Sequence, residues 1–249
     1  MNDVATPRLN RLCLVVAALL VVSGLVHLGV FVADDRPWGG PLSWRKPFTF
    51  GLSFGITLAS VLWVTSYLRM PARTRAWLLG IFAVDCVVEV AGITVQAWRD
   101  QPSHLNTSTP LNTAIAMTLA VGGAVLIVVL GAFAVTALRG RVAADPSMVL
   151  ALQAGFGLLL LGLLSGAAMI ARGTIGKRTG GAEHGYQVAG FVKDFHGVTL
   201  HAVLVLPALA WLLSRLDLGE QARLRWVRIG VASYGVAAIV VLVLDLLIR

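Results

Sequence analysis

Charge is what this sequence has least of. Only 13% of its 249 residues are Asp, Glu, Lys or Arg, against roughly 25% in a soluble domain. With 57% hydrophobic residues and a mean hydropathy of +0.83, too few polar groups exist to cover a water-facing surface. Hydrocarbon is then the solvent for most of the chain, and only helices or a closed barrel satisfy the backbone there. The apolar runs show no alternation, which argues against a barrel. Cysteine is scarce too. Cys13 opens the first apolar run and Cys86 lies in the middle of the third, so no disulfide is expected between them. No CxxC or other zinc spacing occurs. No P-loop, GxSxG, HExxH or Rossmann glycine pattern stands in a suitable context. The last apolar run contains no lysine, which excludes a Schiff-base pigment of the seven-helix light-driven type.

What is present is a series of seven apolar segments, near 12–33, 47–68, 76–98, 113–138, 149–171, 196–214 and 227–248. Each approaches the roughly 20 residues that cross a bilayer. The reading is an all-α bundle of about seven transmembrane helices, with residues 1–249 as a single transmembrane domain. The first run is too long for a signal-peptide core and is expected to be an uncleaved span. The net charge of +8 does not point to nucleic acid, because the Lys and Arg residues sit between apolar runs, where they set topology and meet lipid headgroups.

Arg8, Arg11, Arg69, Arg73, Arg75, Arg139, Arg141, Arg215, Arg223, Arg225 and Arg228 fall on the N-terminal side. Arg36, Arg45, Lys46, Arg99, Arg172, Lys177, Arg178, Lys193 and Arg249 fall on the other, over longer loops. The bias predicts a cytoplasmic N-terminus and an external C-terminus. A multi-pass protein of a bacterial cytoplasmic membrane is expected. Trp38, Trp44 and Trp98 on the external side and Trp77, Trp211 and Trp226 on the internal side suit an aromatic belt. The glycine-rich stretch 173–190 is expected to be the most mobile part. Lys46-Pro47-Phe48 and Lys193-Asp194-Phe195 open spans two and six, a thin hint of a parallel 3+1+3 repeat.

Span three carries the most chemistry. Asp85, Glu89, Gly92, Gln96 and Arg99 recur at three and four, so they form one helix stripe from mid-membrane to the outer surface. An ionisable residue inside a bilayer costs roughly 2.5–3.5 kcal/mol on insertion scales and is a functional candidate by default. Helix packing is the alternative. Asp85, Glu89 and Gln96 are the candidate catalytic or proton-handling residues.

His27, His104, His196 and His201 all fall toward the external leaflet and are the candidate metal ligands, imidazole being the commonest such ligand. His196 and His201 lie about 140° apart around their helix and do not share one small ion. Asp194 is seven residues before His201 and on its face, so it is expected to orient that ring. His27 and His201 suit opposed axial ligation of a haem b. Arg45 and Lys46 suit an anion such as a propionate. Asp245 lies near the external end of span seven, within reach of water, and its role stays open, while Thr49, Ser53, Thr57 and Ser60 read as helix-contact residues.

Three stretches resemble a group of uncharacterised bacterial multi-spanning membrane proteins. They are Gly40-Pro-Leu-Ser-Trp-Arg-Lys-Pro-Phe48 running into Gly51-Leu-Ser53, Glu89 through Gln96-Ala-Trp-Arg99 to Ser103-His-Leu-Asn106, and His196-Gly-Val-Thr-Leu-His201 running into Leu206-Pro-Ala208. This chain has Arg99-Asp100 where that group reads Arg-Gly. The resemblance implies the multi-span fold and supplies no activity. Three functional readings stay open. One is a haem- or transition-metal-binding membrane redox protein. The second is an intramembrane enzyme on a small lipophilic substrate, with Glu89 or Asp85 as general acid. The third is a proton- or solute-coupled transporter or receptor. Membrane lipid is an expected partner, with a small lipophilic molecule or redox partner, and nucleic acid is not.

Overall fold

Seven helices make up most of residues 5–248, which a computed structural model describes, with side chains from residue 7. Arg249, counted above on the external side, lies outside the described residues. The helices are α1 (Ala5–Ala33), α2 (Arg45–Val64), α3 (Ala72–Trp98), α4 (Pro110–Leu138), α5 (Pro146–Ala189), α6 (Lys193–Ser214) and α7 (Glu220–Ile248). All seven are long and apolar enough to cross a membrane. The chain is an all-α seven-helix membrane bundle. We call the face where α1 starts proximal and the opposite face distal.

Most helix ends run past the apolar segments, because hydropathy marks what hydrocarbon covers, whereas backbone bonding continues into the polar interface; α2 instead stops at Val64, where a 3-10 turn over Thr65–Tyr67 follows. α5 shows this most. Its 44 residues would span about 66 Å as a straight rod, twice the hydrocarbon thickness. Instead it breaks at Gly181 (φ 86°, ψ 179°), a conformation essentially reserved for glycine. The chain then turns back on itself. Gly173 lies against Ala189 and Gly185, and Gly176 against Val188. The stretch expected to be mobile is a helical hairpin closed by glycines, and Lys177 donates to Leu105 O (2.6 Å) and Thr107 Oγ1 (2.7 Å), tying it to the α3–α4 connection.

Consecutive helices run antiparallel. Lipid offers no hydrophobic drive for helix pairing, so close van der Waals contact through small residues must supply it. A Cβ on Gly51 would stand 2.8 Å from the Gly24 Cα, and one on Gly155 3.0 Å from Ala202 O. The α1–α2 and α5–α6 pairs therefore meet backbone to backbone. Gly51 and Gly55 flank Ser53 with the letters of a GxSxG, but mid-helix, where both glycines serve packing.

α1, α2 and α3 pack on one another, and α5, α6 and α7 do the same. α4 bridges α3 to α5, and α2 meets α6. The two triplets share one packing plan. The buried apolar core, with Leu79, Phe82, Phe133, Leu152, Phe156 and Leu206 among its members, fills the proximal half. Most buried polar residues, His27, Gln96, Asn112, Thr199 and Asp245 among them, lie in the distal half, with Ser60, Thr65 and Ser147 at proximal helix ends.

Candidate functional site

Asp85 sits midway along α3, on the boundary between the two halves. Its stripe faces α4 throughout. Asp85 and Glu89, 7% and 3% exposed, point at Gly122. A Cβ there would stand 2.8 Å from Asp85 Oδ1 and closer still to Glu89 Oε1. One turn outward, Gly92 receives Leu119. Further out, Gln96 donates to Asn112 Oδ1 (3.1 Å), and Arg99 reaches the same oxygen (3.0 Å) and Gln96 Oε1. Asn112 donates on to Gln101 (3.1 Å) and Ser108 (2.9 Å). The stripe thus divides into a satisfied amide–guanidinium cluster at the distal end and a carboxyl pair deep in the membrane. No ion pair among the described residues involves either acid. Asp85 Oδ2 is buried without a hydrogen-bond partner.

The histidines do not converge, and the expectation that they would is corrected. His27 Nδ1 donates to Ser23 O (2.7 Å), while Nε2 accepts from Trp98 Nε1 (3.1 Å). Both ring nitrogens are engaged. Trp44 stacks on His27 at 6.0 Å and meets Trp98 edge-on at 4.8 Å. Trp44 donates to Asp34 (2.6 Å) and carries the Arg36 guanidinium over its ring at 4.7 Å. Arg36 also pairs with Asp34 and Asp100. Trp44 is 2% exposed, so it is a buried clamp of α1, α2 and α3, not a belt residue. The hydrogen bond from Trp44 holds the Asp34 carboxyl below its ordinary pKa.

His196 Nδ1 lies 2.8 Å from Gly162 O and 3.2 Å from Ser165 Oγ, inside the α5–α6 seam. His201 Nδ1 donates to Gly197 O of its own helix (2.6 Å), so that carbonyl holds one side of the ring. Asp194 instead offers its backbone N–H to Asp245 Oδ2 (3.0 Å), as Phe195 does (2.8 Å). Asp245, read from the sequence as within reach of water, is 4% exposed and holds the N-terminus of α6. A carboxylate is the favoured group there, since it satisfies free N–H groups and opposes the helix dipole.

His104 lies in the α3–α4 connection, with Nδ1 2.9 Å from Ser103 Oγ and its ring 6.2 Å from Phe50. Burial, with the Lys46 charge beside it, lowers its pKa to about 4. Arg45 donates to Trp38 O (3.0 Å), which closes the α1–α2 loop. Lys46 lies under the Tyr186 ring, 5.5 Å from its centroid. Tyr186, Asn112 and Trp98 were not singled out as site residues in the sequence. A hydroxyl in a glycine-rich loop, an amide at a helix start and a belt tryptophan carry no spacing that marks them.

A haem or metal centre needs converging ligands. Among the described residues no group of three or more His, Cys, Asp or Glu side chains is placed to hold a metal ion. α1 packs on α2 and α3, whereas α6 packs on α5, α7 and α2, so His27 and His201 stand on helices that are not principal neighbours. The residues as arranged do not fit the axial pair. Compared with protein-family models, with curated proteins and with solved structures, the chain finds no match.

Proposed function

We propose that this protein is a proton-coupled membrane transporter, with Asp85 and Glu89 as its proton-carrying pair. The observation that carries this reading is the burial of two carboxyls, one turn apart at mid-membrane, with no cation paired to either. Two such charges together are prohibitively costly in hydrocarbon, so the pair must hold a proton or a cation. A site that must be loaded to be stable is suited to loading and unloading. The twin helix triplets support it, because alternating access commonly rocks one repeat against another. The apolar core of the proximal half and the polar distal half supply the asymmetry of one closed and one more hydrated side. The space at Gly122 is filled by the carboxyls themselves, which favours a proton site over a chamber for a lipophilic enzyme substrate. The charge bias favours a cytoplasmic proximal face.

The test is proton flux into liposomes holding the purified protein and a trapped pH dye, driven by a potassium diffusion potential. Wild type is expected to acidify the lumen at least tenfold faster than Asp85→Asn or Glu89→Gln. Wild-type liposomes no leakier than the doubly substituted protein would remove the reading.

A further inference from the structure

Lys46 stands apart from the carboxyl pair and is used by nothing described so far. It is the second residue of α2, at the distal end. The returning arm of the α5 hairpin lays the Tyr186 ring 5.5 Å from its ammonium. The Tyr186 hydroxyl donates to the His104 carbonyl, which fixes that ring. The His104 imidazole faces Phe50, one turn along α2 from Lys46. A half-buried ammonium over one aromatic ring is partly compensated by the ring quadrupole, but by less than the hydration it gives up.

The rest of that compensation is missing. Among the described residues no ion pair includes Lys46 and no carbonyl or hydroxyl accepts from its Nζ. The neighbouring cations differ. Lys177 is held by Leu105 O and Thr107 Oγ1, Arg45 by Trp38 O, and Arg99 by Gln96 and Asn112. His104 adds no second positive charge at neutral pH, its pKa lying near 4. The site therefore presents one half-buried ammonium beside aromatic rings.

We infer that Lys46, Tyr186, Phe50 and His104 form a binding site for an organic monoanion, whose carboxylate or phosphate pairs with Lys46 while its apolar part lies on the rings. The same chemistry is offered by a soluble amphiphilic anion and by an anionic lipid headgroup. The site does not depend on proton transport, and either reading can fail alone.

The chain has only three lysines, Lys46, Lys177 and Lys193, which makes a direct test available on the full protein. Reductive methylation with a carbon-13 label gives three lysine methyl signals, assigned with Lys177→Arg and Lys193→Arg. Octanoate, with octanol as the uncharged control, is titrated in neutral detergent. The Lys46 signal is expected to move saturably with octanoate alone, at concentrations that leave the other two in place. In nanodiscs, the same movement with phosphatidylglycerol against phosphatidylcholine, without response to octanoate, assigns the site to a headgroup. Either result supports the site. Three signals moving together, or a Lys46 signal that answers to neither anion, overturns it.

Discussion

At the scale of single residues, Gly122 decides how the carboxyl pair is housed. It has no side chain where Asp85 and Glu89 need room. Gly122→Ala puts a methyl group onto both acids, an overpacking expected to cost about 1–3 kcal/mol. Thermal unfolding in detergent should show the loss, and proton flux should fall with it. His104 makes a second expectation. Its folded-state pKa, about 4, lies below its ordinary 6.5, so the folded state binds this proton more weakly than the unfolded chain. Its contribution is complete above pH 6.5 and is lost as pH falls toward 4, at up to about 1.4 kcal/mol per pH unit. The unfolding temperature of wild type should drop across that window more steeply than that of His104→Gln; parallel curves would contradict it. The α3 stripe was legible in the sequence because ionisable residues stand out against an apolar run and helical spacing fixes their common face. The fate of the histidines was not. A shared depth says nothing about rotation around each helix, and His27, His196 and His201 each bond to a carbonyl on their own or an adjoining helix.

At the scale of elements, the seven spans could be read from hydropathy alone, since little else satisfies twenty apolar residues in a row. The distal hairpin could not. The glycines and charges of 173–190 resemble a loop in composition, and only their pairing across the turn reveals that Gly173, Gly176 and Gly185 are contact points. Gly181 holds the reversal at φ 86°. Gly181→Ala is expected to cost about 1–3 kcal/mol of local stability. Limited proteolysis should then cut between residues 173 and 190 in the variant several times faster than in wild type. Equal cutting rates would show that the turn does not depend on glycine. Asp245 illustrates a related blind spot. Near a helix end it has the pattern of a solvated acid, whereas in the fold it caps α6.

At the scale of the whole molecule, an odd number of spans puts α1's start and α7's end on opposite faces, and the arginine distribution predicts which face is cytoplasmic. Single cysteines at Gly39 and Gly219 test this, because both sites have open space around them and the native Cys13 and Cys86 are fully buried. In intact cells a membrane-impermeant maleimide is expected to label position 39 and to spare position 219. The reverse pattern would invert every statement about an external site. The charge margin in the sequence was narrow, and the folded arrangement explains part of that. Several distal cations hold loops together: Arg36 pairs with Asp34 and Asp100, and Lys177 holds the α3–α4 connection. They serve architecture more than topology.

The Asp245 carboxylate bears on how the chain is built. It accepts from backbone N–H groups 50 and 51 positions earlier, so α6 emerges from the ribosome with its first turn unfinished. Its start is sealed only once nearly the whole of α7 has been synthesised. Those two helices are then expected to enter the bilayer as one hairpin. A nascent chain stalled before residue 245 should keep the beginning of α6 open to exchange with water.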